Sequence, residues 1–177
     1  MQYNFLPPPK LQFSIPEPDI AGLFKKVTGK FENLPEYKQV EDWLKNNEGK
    51  GLAMIGANGR GKTVLGKWVI PQLFWDFYRK VIKTVDSQDM NFTLDELLKK
   101  QILSIDDIGT ENQRIVYGER RWAFPELLDK AEKNRNILII TSNLDADSFE
   151  RKYGIRTRER MRAVCKIVIF KGESLRI

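Results

Sequence analysis

The amino-acid sequence predicts a three-layer α/β domain with a parallel central sheet. Residues 51–55, 102–105 and 137–140 are runs dominated by apolar side chains without polar alternation, the pattern of strands covered on both faces. Stretches of helical spacing separate these runs, so each strand reaches the next through a helical crossover and the strands run parallel. With 177 residues, 41% hydrophobic and 31% charged, the chain has the size of one domain with a real core and is too apolar to remain disordered. No internal repeat is present.

The elements follow in order. Pro7, Pro8, Pro9, Pro16 and Pro18 remove amide donors and favour extended backbone, so residues 1–30 are expected to form a Pro-rich N-terminal arm ahead of a main domain at residues 31–177. The arm's apolar residues, Phe5, Leu6, Leu11, Phe13, Ile15, Ile20, Leu23 and Phe24, are too many for a solvated linker. They cover either this domain or a partner. Pro35, followed by Tyr37, Val40, Trp43 and Leu44 at helical spacing, opens a helix that ends near Gly49. Residues 51–55 are the first strand, and a Gly-rich turn leads into a helix from Lys62 that Pro71 should kink or end. Residues 81–85 read as a second strand, 94–100 as a short helix, 102–105 as a third strand, and 115–133 as a helical region interrupted at Pro125. A fourth strand at 137–140, a helix at 146–153 and a last strand at 166–170 complete the series.

Composition removes several chemistries. The chain has no histidine and a single cysteine, Cys165, which excludes zinc fingers, His-based triads and disulfide frameworks. Carboxylates, Lys, Arg, hydroxyls and backbone must do the work. No run approaches the roughly 18 apolar residues of a membrane span, and the first ten residues lack a basic start followed by an apolar stretch. The expectation is a cytoplasmic protein with no membrane partner. Of the +6 net charge, residues 151–177 supply nine Lys/Arg against two acids, leaving the remainder close to neutral. Such a block either steers an anionic partner or forms a solvated basic surface.

Gly56-Ala57-Asn58-Gly59-Arg60-Gly61-Lys62-Thr63 fits G-x-x-x-x-G-K-[ST], and it lies between a strand and a helix as the phosphate-loop mechanism requires. Its glycines let the chain close round a triphosphate, and the following helix offers its positive end. Lys62 is placed to bridge the β and γ phosphates of ATP, and the Thr63 hydroxyl to hold Mg²⁺. The strand at 102–105 ends abruptly in Asp106 and Asp107. Alone, such a pair caps a helix or forms a turn; after a phosphate loop, Asp106 reads as the Walker B acid holding Mg²⁺ through water and Asp107 as the group that orients or activates the attacking water. The strand at 137–140 runs into Thr141, Ser142 and Asn143, at the sheet edge where ligands of parallel sheets bind. Asn143, or Thr141, can reach the γ-phosphate or the water there; the alternative is that Ser142 or Asn143 caps the next helix.

These three strand-end motifs, with Ile105-Asp-Asp-Ile-Gly-Thr-Glu111, Ile140-Thr-Ser-Asn-Leu144, Phe31-Glu-Asn-Leu34, Arg160-Met-Arg162 and Lys171-Gly-Glu-Ser-Leu-Arg176, resemble the AAA+ P-loop ATPases of the DnaC/IstB group from about Phe31 to Ile177. That group comprises bacterial and phage replicative helicase loaders and transposition ATPases. The resemblance implies ATP hydrolysis with Mg²⁺, a sensor-1 role for Asn143, and an arginine finger in trans from Arg156, Arg158, Arg160 or Arg162, with Arg160 matching the family's Arg-Met step. A finger in trans implies a homo-oligomer, ring or spiral; a solvated or DNA-facing surface is the other reading of these arginines. Asp107 stands where many AAA+ enzymes carry Glu, which implies slow or partner-stimulated turnover. No C-terminal helical lid is expected after the last strand.

The function implied first is an ATP-dependent loader that delivers a replicative helicase to single-stranded DNA, with Lys166, Lys171 and the remaining C-terminal arginines as candidate DNA contacts. A transposition helper acting on duplex DNA, a small P-loop kinase and a non-hydrolysing adaptor are the alternatives.

Overall fold

A computed structural model describes residues 6–175; Phe5 of the arm, Arg176 of the closing motif and Ile177 lie outside the described residues. Five parallel strands form the central sheet: β1 (Gly51–Gly56), β2 (Lys83–Asp86), β3 (Ile102–Ile108), β6 (Ile137–Ser142) and β7 (Cys165–Phe170), in the order β2-β3-β6-β1-β7. A separate antiparallel hairpin joins β4 (Arg114–Val116) to β5 (Glu119–Arg121). Alternate residues of single strands enter two different cores: Leu52 and Met54 one, Ala53 the other; Ile137 and Ile139 one, Leu138 and Ile140 the other. That division is why these strands lack polar alternation, and it establishes the three layers.

The first core holds α1 (Ile20–Thr28), α2 (Pro35–Lys45) and the helix after β1; the second holds α5 (Met90–Leu97), α6 (Ala123–Asn134), α7 (Ala146–Tyr153) and α8 (Ile155–Val164). Of the arm's described apolar residues, Leu11, Phe13, Ile15, Ile20, Leu23 and Phe24 pack on this domain, whereas Leu6 is exposed. Ile15 is completely buried and its amide bonds the Leu44 carbonyl at 2.8 Å. Phe13 packs edge-on against Trp43 and Phe74, with ring centres 5.0 and 4.7 Å away. Asn47 uses its amide side chain to hold the Phe13 N–H and the Leu11 carbonyl, an efficient way to satisfy extended backbone that has no strand beside it. Within residues 1–30 the chain is not extended throughout, because Asp19 accepts the Gly22 amide and caps α1, whose Ile20 and Phe24 are buried.

Several sequence expectations change. Pro71 does not end its helix, and the irregularity beside it is a π-helical segment: α3 (Lys62–Val64) continues through Leu65–Val69 into α4 (Ile70–Tyr78). The wide turn directly precedes the proline, and Pro71 occupies the first turn of α4, where its ring and missing amide are accommodated. Residues 115–133 are not helical throughout. Ile115 and Val116 belong to the hairpin, whose turn places both Tyr117 (φ 50°) and Gly118 (φ 82°) in the left-handed region. Tyr117 is not a turn former, so the hairpin carries little local signal. Pro125 falls in the first turn of α6, where no intrahelical bond is lost. The helix expected at 94–100 is α5, four residues earlier at its start, and a further helix, α8, stands between the expected helix at 146–153 and the last strand. Among the described residues no helix follows β7.

Candidate nucleotide site

The strand ends at the carboxyl edge of the sheet converge on a cleft of about 820 Å³. Asn58, Gly59, Gly61, Lys62, Thr63, Asp106, Asp107, Thr141 and Asn143 reach it, and Phe24, Phe31 and Tyr37 close its other side. Gly56, Ala57 and Arg60 complete the loop behind this surface.

The loop is held from outside. The Ala57 amide bonds the Phe170 carbonyl, the Leu175 amide bonds the Gly59 carbonyl, and the Tyr37 hydroxyl donates to the Arg60 carbonyl at 3.0 Å. Burial pushes the Tyr37 hydroxyl up to about 12, so it stays a donor at neutral pH. Gly61, at φ 84°, has no space for a side chain: a Cβ would stand 2.3 Å from the Tyr37 oxygen and 2.7 Å from the Phe24 ring. Arg60 turns its guanidinium away from the cleft to Glu36, with Nη2 at 3.0 Å and Nε at 3.2 Å from one carboxylate oxygen, which also accepts the Lys171 amide at 2.9 Å. Nothing in the motif predicts that anchor, since Glu36 lies on α2. Lys62, 6% exposed, folds back to donate to the Gly56 and Ala57 carbonyls at 2.8 and 2.6 Å.

Facing the loop, β3 and β6 present one connected polar chain. Thr141 Oγ1 donates to Asp106 Oδ1 at 2.6 Å and accepts the Asp107 amide at 2.8 Å, while Asn143 Nδ2 donates to Asp107 Oδ1 at 2.8 Å. Consecutive strand residues ordinarily point to opposite faces. Both carboxylates reach the cleft because β3 slips register against β6 between Ile105 and Ile108, with Asp107 at φ 59°. Aspartate tolerates that left-handed geometry better than glutamate does, which gives a local reason for the shorter acid here. Burial, and then the neighbouring Asp106 charge, push the Asp107 carboxyl above its usual range, with Lys62 opposing.

Lys67, within the π segment, was not singled out by sequence. Its Nζ lies 2.5 Å from Asp86 and 3.8 Å from Asp106, placing a cation beside the acid pair. None of the candidate finger arginines lines the cleft. Arg160 is paired with Glu132 at 2.6 Å and Asp129 at 3.4 Å on α6, Arg158 with Glu150 at 2.5 Å, and Arg156 and Arg162 are exposed.

The donor set suits a triphosphate with a hard divalent cation. A Gly-rich turn that any Cβ at Gly61 would obstruct and a buried lysine beside it suit phosphate oxygens, while the hydroxyl and carboxylate oxygens of Thr63 and Asp106 suit a hard cation.

No family model and no curated protein matches the sequence. Solved structures do match. The crystal structure of the DnaC helicase loader superimposes with a TM-score of 0.64 at 16% identity, covering 82% of this chain and 96% of that one. DnaI gives 0.54 at 22% identity, over 69% of this chain and 73% of its own. AMPPCP-bound DnaA from Aquifex aeolicus gives 0.59 at 12% identity, over 81% of this chain and 49% of DnaA. With the strand order already described, these likenesses show that the chain shares the fold of the DnaC helicase loader, DnaI and DnaA structures.

Proposed function

We propose that this chain is an ATP-dependent loader of a replicative helicase onto single-stranded DNA, with residues 31–177 as its ATPase domain and residues 1–30 as an N-terminal arm. The observation that carries the reading is the opposition, across one cleft, of the Lys62–Thr63 end of a Gly-rich loop and the Asp106–Thr141–Asp107–Asn143 hydrogen-bond chain. It is supported by the fold likeness to the DnaC helicase loader and DnaI.

Bound Mg²⁺ would supply charge neutralisation at the phosphates, with Thr63 and Asp106 as its protein-side oxygens. The protein's own groups do the rest. Residues 56–63 wrap the phosphate tail, and Lys62 exchanges the Gly56 and Ala57 carbonyls for phosphate oxygens. Asp107 orients the attacking water, and its raised carboxyl affinity for protons suits it to accept the proton from that water. Asn143 fixes the Asp107 carboxylate and reaches the γ-phosphate side of the cleft. An arginine from α8 of a neighbouring copy, Arg160 first, completes the charge stabilisation in a homo-oligomeric ring or spiral; Arg160 must leave Asp129 and Glu132 to do so. Among the described residues no helix is long and apolar enough to cross a membrane.

The test is steady-state phosphate release with and without single-stranded DNA and a candidate helicase. Slow release, stimulated by one or both and absent in Lys62→Ala, is expected. Absence of release in every combination, or nucleotide-loaded protein that captures neither single-stranded DNA nor helicase, would overturn the loader reading; tighter binding to duplex would favour the transposition helper.

A further inference from the structure

Behind the turn that carries Asp107 lies a buried network to which the strand-end motifs assign no part. The Gly109 amide donates to Glu111 Oε2 at 2.9 Å, and the Tyr153 hydroxyl donates to the other oxygen of the same carboxylate. Lys152 Nζ donates to the Gly109 carbonyl at 2.6 Å and the Glu111 carbonyl at 3.0 Å, and sits 4.3 Å from the centre of the Trp122 ring. Glu111 is 2% exposed, so its carboxylate oxygens find their hydrogen-bond partners within the protein. On the other side, the Asp107 carbonyl accepts the Ser87 and Thr110 hydroxyls. Residues 107–111 are therefore clamped on both sides.

The clamp belongs to the helix pair that carries the arginines. Lys152 and Tyr153 end α7, and α8 starts two residues after Tyr153, beyond Gly154 at φ 87°. The Thr157 hydroxyl donates to the Tyr153 carbonyl at 2.9 Å, and Arg158 on α8 pairs with Glu150 on α7. Tyr153 also packs on Phe149, Phe124 and Trp122, with ring centres 4.9, 5.4 and 5.6 Å away. These bonds join α8 to Tyr153, and Lys152 and Tyr153 to the Gly109 and Glu111 segment.

We propose that Glu111, Lys152 and Tyr153 are positioning residues that hold the 107–111 turn, and with it the Asp107 carboxylate, in register with the arginine-bearing helix α8. In an oligomer they link a subunit's own hydrolytic geometry to the engagement of its arginines with the next subunit. The proposal rests on the ATPase reading above.

Tyr153→Phe keeps the aromatic packing and deletes the hydroxyl, and Lys152→Met keeps the aliphatic stem and deletes the ammonium. Phosphate release in each is expected to fall between about tenfold and a hundredfold, with affinity for a fluorescent ATP analogue within about twofold of the native value. Combined with Arg160→Ala or Arg156→Ala, Tyr153→Phe should add less than the product of the separate losses. Turnover unchanged in both variants, or affinity and turnover falling in parallel, overturns the positioning role; multiplicative losses in both double variants overturn the link to α8. Amide exchange separates this failure from failure of the ATPase reading. Gly109 and Thr110 should exchange at least about tenfold faster in Tyr153→Phe and Lys152→Met whether or not ATP is hydrolysed, and unchanged exchange sinks the clamp itself.

Discussion

Arg60→Met is the sharpest stability test, because it removes a cation from a carboxylate that has nowhere to go. Glu36 is 5% exposed, and one of its oxygens takes both Arg60 bonds and the Lys171 amide. Burial alone would push the Glu36 carboxyl up, but bonds from its own amide and that of Lys171, then Arg60, outweigh it and leave the group below its ordinary 4.5. Met keeps most of the apolar stem, so the loss is mainly electrostatic. Breaking a buried ion pair costs about 3–5 kcal/mol, and the Glu36 and Lys171 amides that still bond the carboxylate hold the loss to the lower part of that range or below it. Protonation offers Glu36 an escape: at 1.36 kcal/mol per pH unit, neutralising a group of ordinary pKa 4.5 at pH 7 costs about 3.4 kcal/mol, which caps the charge penalty. We expect Arg60→Met to lose about 2–3.5 kcal/mol at pH 7 in urea unfolding and under about 1 kcal/mol at pH 5. The native protein behaves oppositely. A folded pKa below the unfolded one stabilises above the unfolded value and loses that contribution as pH falls through the folded one. A loss at pH 7 below about 1 kcal/mol, or one of equal size at both pH values, would refute the anchor.

Other expectations follow from the cleft. Lys62→Ala should weaken ATP binding at least about a hundredfold by calorimetry while leaving the unfolding midpoint close to native, since Lys62 serves the loop and not the core. Asp107→Asn should retain ATP affinity and lose at least about a hundredfold in phosphate release; Asn also tolerates the left-handed backbone, so normal turnover would remove Asp107 from the chemistry. Gly61→Ala should both destabilise the fold and abolish ATP binding, because its Cβ would collide with Tyr37 and Phe24; native-like affinity would contradict the described loop. Arg160→Ala should lower turnover and spare affinity in the assembled protein, and unchanged turnover would pass the finger role to Arg156, which is exposed.

Periodicity and chemistry over short stretches carried the sequence reading far. Five strands lie within a few residues of the segments that read as strands; in β1 and β6 burial leaves no polar position over residues 51–55 and 137–140, whereas β2, an edge strand, carries Lys83 and Thr84. The loop at residues 56–63 and the acids at 106 and 107 meet in one cleft, as a strand–turn–helix unit and a strand end of a parallel sheet must. Where sequence failed, the local signal was weak or misleading: Tyr117 in a turn that favours glycine, Pro71 in a helix that widens to receive it, and α8, whose arginines give little apolar periodicity.

Contacts between distant residues belong to the packed chain alone. Arg60 meets Glu36 across 24 residues of sequence and the Lys171 amide meets Glu36 across 135, pairings that no window of neighbouring residues encodes. The slip in β3 that swings Asp107 into the cleft exists only against β6, and the clamp on its turn only once α7 has docked. Short-range chemistry fixes which groups are offered and which segments become strands, whereas packing of the layers decides which offered groups touch, because that depends on crossovers that bring remote residues within bonding distance.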